Sequence, residues 1–159
     1  MRNVRNTLLI STFLVLLIMP VYFLACTGKP SGGPAAGPII VRQSGGAGML
    51  IQECSDQSYI AQTADYIIEG TVEKVESRWN EDRSSIVTYS DVAIEKYVKG
   101  APFAGNKLQI VTPGGTVGEV TQAVEDQPIF HEGKKVTIYL EQVDDDYAIV
   151  CGRFGVQER

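Results

Sequence analysis

The pattern of apolar and polar positions divides the chain into three stretches. A mostly apolar, uncharged run from Leu8 to Leu24 follows two arginines, and residues 27–49 are then rich in Gly, Pro and Ser. From Asp65 onward, apolar and polar residues alternate with a period of two, which is typical of half-buried β-strands. The pattern therefore predicts an export signal, a flexible tether and a folded β domain, in that order.

The folded stretch, residues 49–159, predicts a short helix followed by five or six strands. Ser55 is the expected N-cap of a helix that ends near Thr63. Strands are expected at residues 65–75, 86–98, 107–111, 117–124, 136–140 and 147–150. Gly70 lies inside the first strand and predicts a bulge, while Val92, Ile94 and Val98 are expected on one face of the second. Because closing a short sheet hides its edges, we expect a small closed or partly open antiparallel barrel.

The amino terminus has the features of an exported chain. A basic segment, an apolar core and small Ala25 precede Cys26, which favours a signal peptide over residues 1–25. A cysteine directly after a small residue resembles the lipobox of prokaryotic lipoproteins, in which that cysteine is lipidated. We therefore expect lipidated Cys26 at the head of a Gly/Pro/Ser tether, residues 26–48, on the extracytoplasmic face of the cell membrane. An uncleaved anchor helix and plain secretion are the alternatives.

Charge narrows the classes of partner. The chain has 14 Lys and Arg against 19 Asp and Glu, a formal net charge of −5. Nucleic-acid binding requires clustered basic residues, so this balance argues against it. A protein partner, including an exported protease, and the membrane reached through the lipid remain open.

Three cysteines are present. If Cys26 carries lipid, Cys54 and Cys151 remain, near opposite ends of the folded domain. Export to an oxidising compartment favours a disulfide between them, and two buried free thiols are the alternative.

Several segments resemble netrin-like modules, a group that includes the tissue inhibitors of metalloproteinases. The segments with this resemblance are 64–72, 92–100, 112–118, 133–136 and 147–154. The 112–118 string, TPGGTVG, is also similar to one shared by a group of exported prokaryotic proteins. The resemblance implies an all-β, OB-like barrel in which Cys151 matches a cysteine that bridges back to the N-terminal region.

The resemblance implies the fold of the family but not its inhibitory mechanism. In the inhibitors, a free N-terminal cysteine chelates the zinc of the protease, whereas Cys26 would be acylated and tethered. An inhibitor-like role through the loop around Gly114 and the segment around Cys54 is therefore an alternative function, not the expected one.

Residues with potential chemistry are few. His131 is the sole histidine and has no companion at zinc-ligand spacing, so we expect a surface residue and no metal site. Asp144, Asp145 and Asp146 predict a solvated turn. No motif of a catalytic triad or a phosphate loop occurs, so neither an enzyme nor a cofactor is expected.

Two features are candidates for contact with a partner. Gly114, Gly115, Thr116 and Val117 lie in the most unusual string of the domain, and Trp79 is placed near a predicted hairpin tip. A tight strand connection and a tryptophan folded over the barrel end are the structural alternatives. The expected function is a membrane-anchored binding module, and a passive envelope component is the remaining alternative.

Replacement of Cys26 by Ser tests the lipid anchor. We expect Cys26→Ser to leave the protein unprocessed or to release it from the membrane, because the acyl chains are the expected source of membrane attachment. Fractionation and mass spectrometry of the mature N-terminus measure this. An unmodified Cys26 in membrane-bound wild-type protein would contradict the prediction.

Overall fold

The computed structural model describes residues 37–43 and 52–159. The predicted signal peptide, the predicted lipidation site Cys26 and most of the predicted tether lie outside the described residues. Within the described ranges, no helix has the length and apolar character needed to cross a membrane.

The described residues are mostly β-structure. One α-helix, α1, spans Gln57–Thr63, and short 3₁₀ turns lie at Gln52–Ser55 and Gly152–Gly155. The strands are β1 Ile39–Arg42, β2 Tyr66–Trp79, β3 Ile86–Lys99, β4 Lys107–Pro113, β5 Gly115–Val117, β6 Val120–Gln122, β7 Lys135–Val143, β8 Asp146–Ile149 and β9 Val156–Glu158.

Six of these strands form a closed barrel. The hydrogen-bonded order is β2-β3-β4-β1-β8-β7, and β7 pairs again with β2 to close the ring. Strand β9 adds to β7 beside β8, and β5 and β6 form a separate two-stranded sheet. The predicted small all-β barrel with one short helix is confirmed.

Strand β1 corrects two expectations. The tether predicted for residues 26–48 is wrong at Ile39–Arg42, because this segment pairs with β4 and with β8. Both pairings are parallel, so the barrel is mixed and not purely antiparallel. Val41 is fully buried, and the Gln43 side chain exchanges hydrogen bonds of 3.0 and 3.3 Å with the Ile149 backbone. The short apolar interruption in a Gly/Pro-rich stretch therefore joins the core.

Bulges bend the two long strands. The β2–β3 register shifts between Glu69 and Gly70, where a Cβ at Gly70 would overlap the Ala93 carbonyl oxygen. A further shift leaves Val98 without a partner in β2. Tyr97 therefore packs against the core while Val98 is 51% exposed. The expected common face for Val92, Ile94 and Val98 is wrong at Val98, because each bulge reverses the alternation.

Helix α1 begins one residue later than expected. Asp56, not Ser55, is the N-cap and accepts a hydrogen bond of 2.8 Å from the Ser58 amide. At the other end, Lys99 Nζ donates to the carbonyls of Ala61 and Ala64, which the helix leaves without internal partners. Ile60 is buried in a small cluster with Ala64 and Val150, which holds the helix against the barrel.

Cys54 and Cys151 are bonded, with Cα atoms 5.5 Å apart. The bond joins the 3₁₀ turn before α1 to the segment that follows β8. It therefore links the segment before the helix to the segment after β8, as expected from the cysteine count and the predicted export.

Replacing both cysteines with Ser should lower the free energy of unfolding by about 2–5 kcal/mol, because the bond closes a loop with a sequence separation of 97 residues. Urea unfolding without reductant measures the difference. Reductant should destabilise the wild type by a similar amount and leave the double variant unchanged. Equal stability of the two proteins without reductant would contradict the prediction.

Candidate functional site

A groove of about 490 Å³ lies at one end of the barrel. One wall is the outer half of the β2–β3 hairpin, the second is the β5–β6 hairpin, and the third is the segment 123–130 that leads towards β7. The outer half of β2 extends beyond β7, which pairs with β2 only over Tyr66–Thr71. The groove exists because the other two segments fold against this extension.

Polar contacts fix the β5–β6 hairpin against β3. The Gly114 amide donates to the Ile86 carbonyl at 2.8 Å, and the Gln122 side chain accepts from the Ile86 amide at 2.8 Å. Thr88 Oγ1 donates to the Gly114 carbonyl at 2.7 Å and lies 2.8 Å from Ser77 Oγ. Because the Thr88 hydrogen is directed at Gly114, Ser77 is the donor in that second contact.

Gly115 allows this close approach. Its φ of +129° lies where L side chains are strained, and a Cβ there would overlap both the Ser77 and the Thr88 hydroxyls. Gly118, in the turn between β5 and β6, has a φ of +60° and open space around it. The glycines of the TPGGTVG string thus serve two purposes, close packing at Gly115 and a turn at Gly118.

The floor and one rim of the groove are apolar. Phe130 is buried in the main core cluster and also lines the groove, so the floor is continuous with the barrel interior. Pro128 is buried beside it, while Ile129 is 76% exposed on the rim. A second exposed apolar residue, Val120, lies in β6 of the neighbouring hairpin. An apolar concave surface with a few hydroxyls is typical of a binding site.

Charge on this part of the molecule is unevenly distributed. Among the described residues that line the groove, Glu125 is the charged one. The charged residues of the β2–β3 hairpin lie on its opposite face. There the hydrogen bond from Lys74 lowers the pKa of Glu76, and Arg78 Cζ lies 3.8 Å from the centroid of the Tyr89 ring. Glu125 is therefore the charge within the groove lining, and the opposite face carries the ion pair between Lys74 and Glu76.

The structure brings three of the five predicted partner-facing residues to the groove. Gly114, Gly115 and Thr116 line it. Trp79, which pairs with Ile86, lies two residues beyond Ser77 in β2, so its side chain is on the same, groove-facing side of the hairpin. The Trp79 side chain is 37% exposed. Val117 pairs with Val120 at the far end of the β5–β6 hairpin and does not line the groove. Contact of these residues with a partner stays a prediction.

The other residues considered for chemistry lie elsewhere. His131 is an exposed loop residue whose Nδ1 lies 2.9 Å from a Glu158 carboxylate oxygen. Asp144, Asp145 and Asp146 are exposed at the β7–β8 turn, as expected. In the described part of the chain, no group of three or more His, Cys, Asp or Glu side chains is placed to hold a metal ion.

The opposite end of the barrel is closed by aromatic rings. Phe103 lies 4.7 Å from Tyr66, 5.7 Å from Tyr97 and 5.0 Å from Tyr147, measured between ring centroids. The Phe103 amide donates to the Tyr97 hydroxyl at 3.2 Å, and burial raises the pKa of Tyr147, with Tyr66 adding to the effect. Tyr97 therefore has a packing role at the end of the barrel opposite the groove.

Sequence reasoning missed the segment 123–130. The single strand expected over residues 117–124 is wrong, since β5 and β6 form a hairpin and residues 123–130 continue without a strand. The run Pro128-Ile129-Phe130 is the signal that was available, because an apolar triplet within a polar connection needs a surface to pack on.

Comparison of the chain with protein-family models, with curated proteins and with solved structures finds no match. The resemblance to netrin-like modules therefore stays a prediction.

Substitution at Gly115 tests the packing of the groove wall. We expect Gly115→Ala to lower the free energy of unfolding by about 1–3 kcal/mol more than Gly118→Ala. Both variants place a side chain at positive φ, but only the first also overlaps Ser77 and Thr88. Urea unfolding of the two variants measures the difference, and equal losses would refute the packing account.

Proposed function

We propose that this protein is a non-enzymatic binding module, held on the extracytoplasmic face of a cell membrane by a lipid on Cys26. The groove between the β2–β3 hairpin, the β5–β6 hairpin and the segment 123–130 is the binding surface. The observation that carries the proposal is the exposed apolar rim at Ile129 above a floor continuous with the barrel core.

The composition of the groove favours binding over catalysis. Its lining combines apolar side chains with the hydroxyls of Ser77, Thr88 and Thr116, and Glu125 supplies a single carboxylate. General acid–base chemistry uses groups with matched pKa values held within hydrogen-bond reach of each other. The groove instead has a concave shape and an apolar surface, which are the usual determinants of affinity at a binding site.

The location is supported by two independent features. The pattern of residues 1–26 is that of an exported, lipidated chain, and the disulfide between Cys54 and Cys151 suits an oxidising compartment. The net charge of −5 disfavours nucleic acid and is compatible with a protein partner.

The test is photo-crosslinking in living cells from position 116 on the groove wall. A photoreactive residue replaces Thr116 in the full-length chain, and adducts are identified by mass spectrometry. We expect Ile129→Asp to abolish the dominant adduct, because a carboxylate on the rim opposes apolar contact. Ile129 is 76% exposed, so the change should alter stability by less than about 0.5 kcal/mol.

Val98→Asp is the matched control. Val98 is also an exposed apolar residue but lies in β3, outside the groove lining, so its replacement should leave the adduct intact. An adduct that survives Ile129→Asp would argue against the groove. A dominant adduct with a zinc protease would favour the inhibitor-like alternative, and the absence of any discrete adduct would favour a passive envelope component.

A further inference from the structure

The outer half of β2 has one unoccupied edge. From Val75 to Trp79, β2 pairs with β3 on one side. On the other side, β7 pairs only with Tyr66–Thr71. The residues just before β7 add two more hydrogen bonds, between Val72 and residues 133 and 134. Within residues 37–43 and 52–159, no strand pairs with this edge of β2 beyond that point, and β5 packs on the face of the hairpin and not along the edge.

The hydrogen-bond pattern shows which backbone groups this edge presents. The Asn80 amide donates to the Ser85 carbonyl at 2.9 Å, which fixes the alternation of the hairpin. Glu76 and Arg78 therefore direct their amides and carbonyls towards β3, whereas Val75, Ser77 and Trp79 direct theirs outward.

Two contacts confirm this alternation. The Val75 amide donates outward to a Glu132 carboxylate oxygen at 2.8 Å. On the far side of the hairpin, the Ile86 carbonyl, opposite Trp79, points away from β2 and accepts from Gly114. The Glu132 carboxylate therefore accepts from the outward amide of Val75. The outward amides and carbonyls of Ser77 and Trp79 lie further along the same edge.

The open edge of β2 borders the face of the hairpin that lines the groove. The side chains of Val75 and Ser77 line the groove, and side chains directly opposite each other on paired strands lie on the same face. In a strand added along this edge, every second side chain would therefore project to the groove side, towards Ile129 and Phe130. An added strand would also continue the position that β7 occupies on the first half of β2.

Charge indicates the composition of that strand. Glu132 lies at the start of the edge, and Glu125 is the charged side chain among the described residues that line the groove. A segment with Lys or Arg beside its apolar residues is complementary to these carboxylates.

We propose that the groove takes an extended peptide segment of a protein partner, added as a strand to the edge of β2 from Val75 to Trp79. The segment has alternating apolar side chains, which enter the groove, and flanking basic residues. This mode combines main-chain hydrogen bonds for affinity with side-chain pockets for specificity. The inference rests on the proposed function and names the class of its partner.

The probe is a displayed library of random twelve-residue peptides, selected on the full chain in detergent micelles. We expect enriched peptides to alternate apolar and polar residues and to carry Lys or Arg. Ser77→Pro should weaken their binding about tenfold or more, because it removes an outward donor and places a ring on the edge. Ser77→Ala is the matched control, since it loses the same hydroxyl but keeps the amide, so Ser77→Pro should bind about tenfold or more weakly than Ser77→Ala.

The second measurement leaves the protein unchanged, so it does not depend on the stability of Ser77→Pro. One enriched peptide is synthesised in two methylated forms. The first form has N-methyl groups on every second amide, and the other form has them on the remaining amides. A strand uses the amides of only one register against a given edge, so one methylated peptide should lose binding and the other should keep it. Equal affinity of the two methylated peptides would overturn strand addition.

Ile129→Asp separates this inference from the proposed function. Peptides that bind Ile129→Asp as well as wild type, or a library that yields no enriched peptide, would overturn the groove as a peptide site. Peptides that are sensitive to Ile129→Asp but bind Ser77→Pro and Ser77→Ala equally would keep the groove and overturn strand addition alone.

Discussion

The simultaneous pairing of β2 with β3 and β7 is the constraint on which the rest of the barrel depends. Over residues 67–71, β2 has a neighbour on both edges, and this double pairing closes the ring. Closure requires the paired strands β2 and β3 to bend. Their register shifts between Glu69 and Gly70, with the extra residue in β3, and a side chain at Gly70 would meet the Ala93 carbonyl at this bend. Core residues such as Ile68 and Val72 then face the interior across the bend.

The groove is a consequence of the same strand. Because β2 and β3 are each 14 residues long, their outer halves extend past the β7 partner and form an open arm. The β5–β6 hairpin covers one side of this arm through Gly114, Gly115 and Gln122, while Phe130 joins the core beneath it. The arrangement leaves an apolar surface and a backbone edge side by side. The proposed function depends on the apolar surface, and the proposed peptide depends on the surface and the edge together.

Much of the fold could be predicted from local pattern, and the exceptions have specific physical causes. The alternation from Asp65 onward predicted the long strands, and a turn-forming run of polar residues predicted the β7–β8 hairpin. The tether prediction failed at Ile39–Arg42, because a four-residue strand has almost no local preference and forms only when β4 and β8 lie on either side of it. Val98 was misplaced because a bulge changes parity without changing composition.

The sequence by itself determined the β class and the unusual character of the TPGGTVG string, since alternation and glycine content are local properties. It favoured the pair Cys54 and Cys151 through the cysteine count and the expected export, and the structure shows the bond. Only the tertiary structure decided that Ile129 and Phe130 lie opposite Ser77 and Thr88, and that the edge of β2 remains open beside them. These two pairs of residues are separated along the chain by β4 and by the β5–β6 hairpin. Their meeting depends on where β7 leaves β2, which is a property of the closed sheet and not of any segment in it.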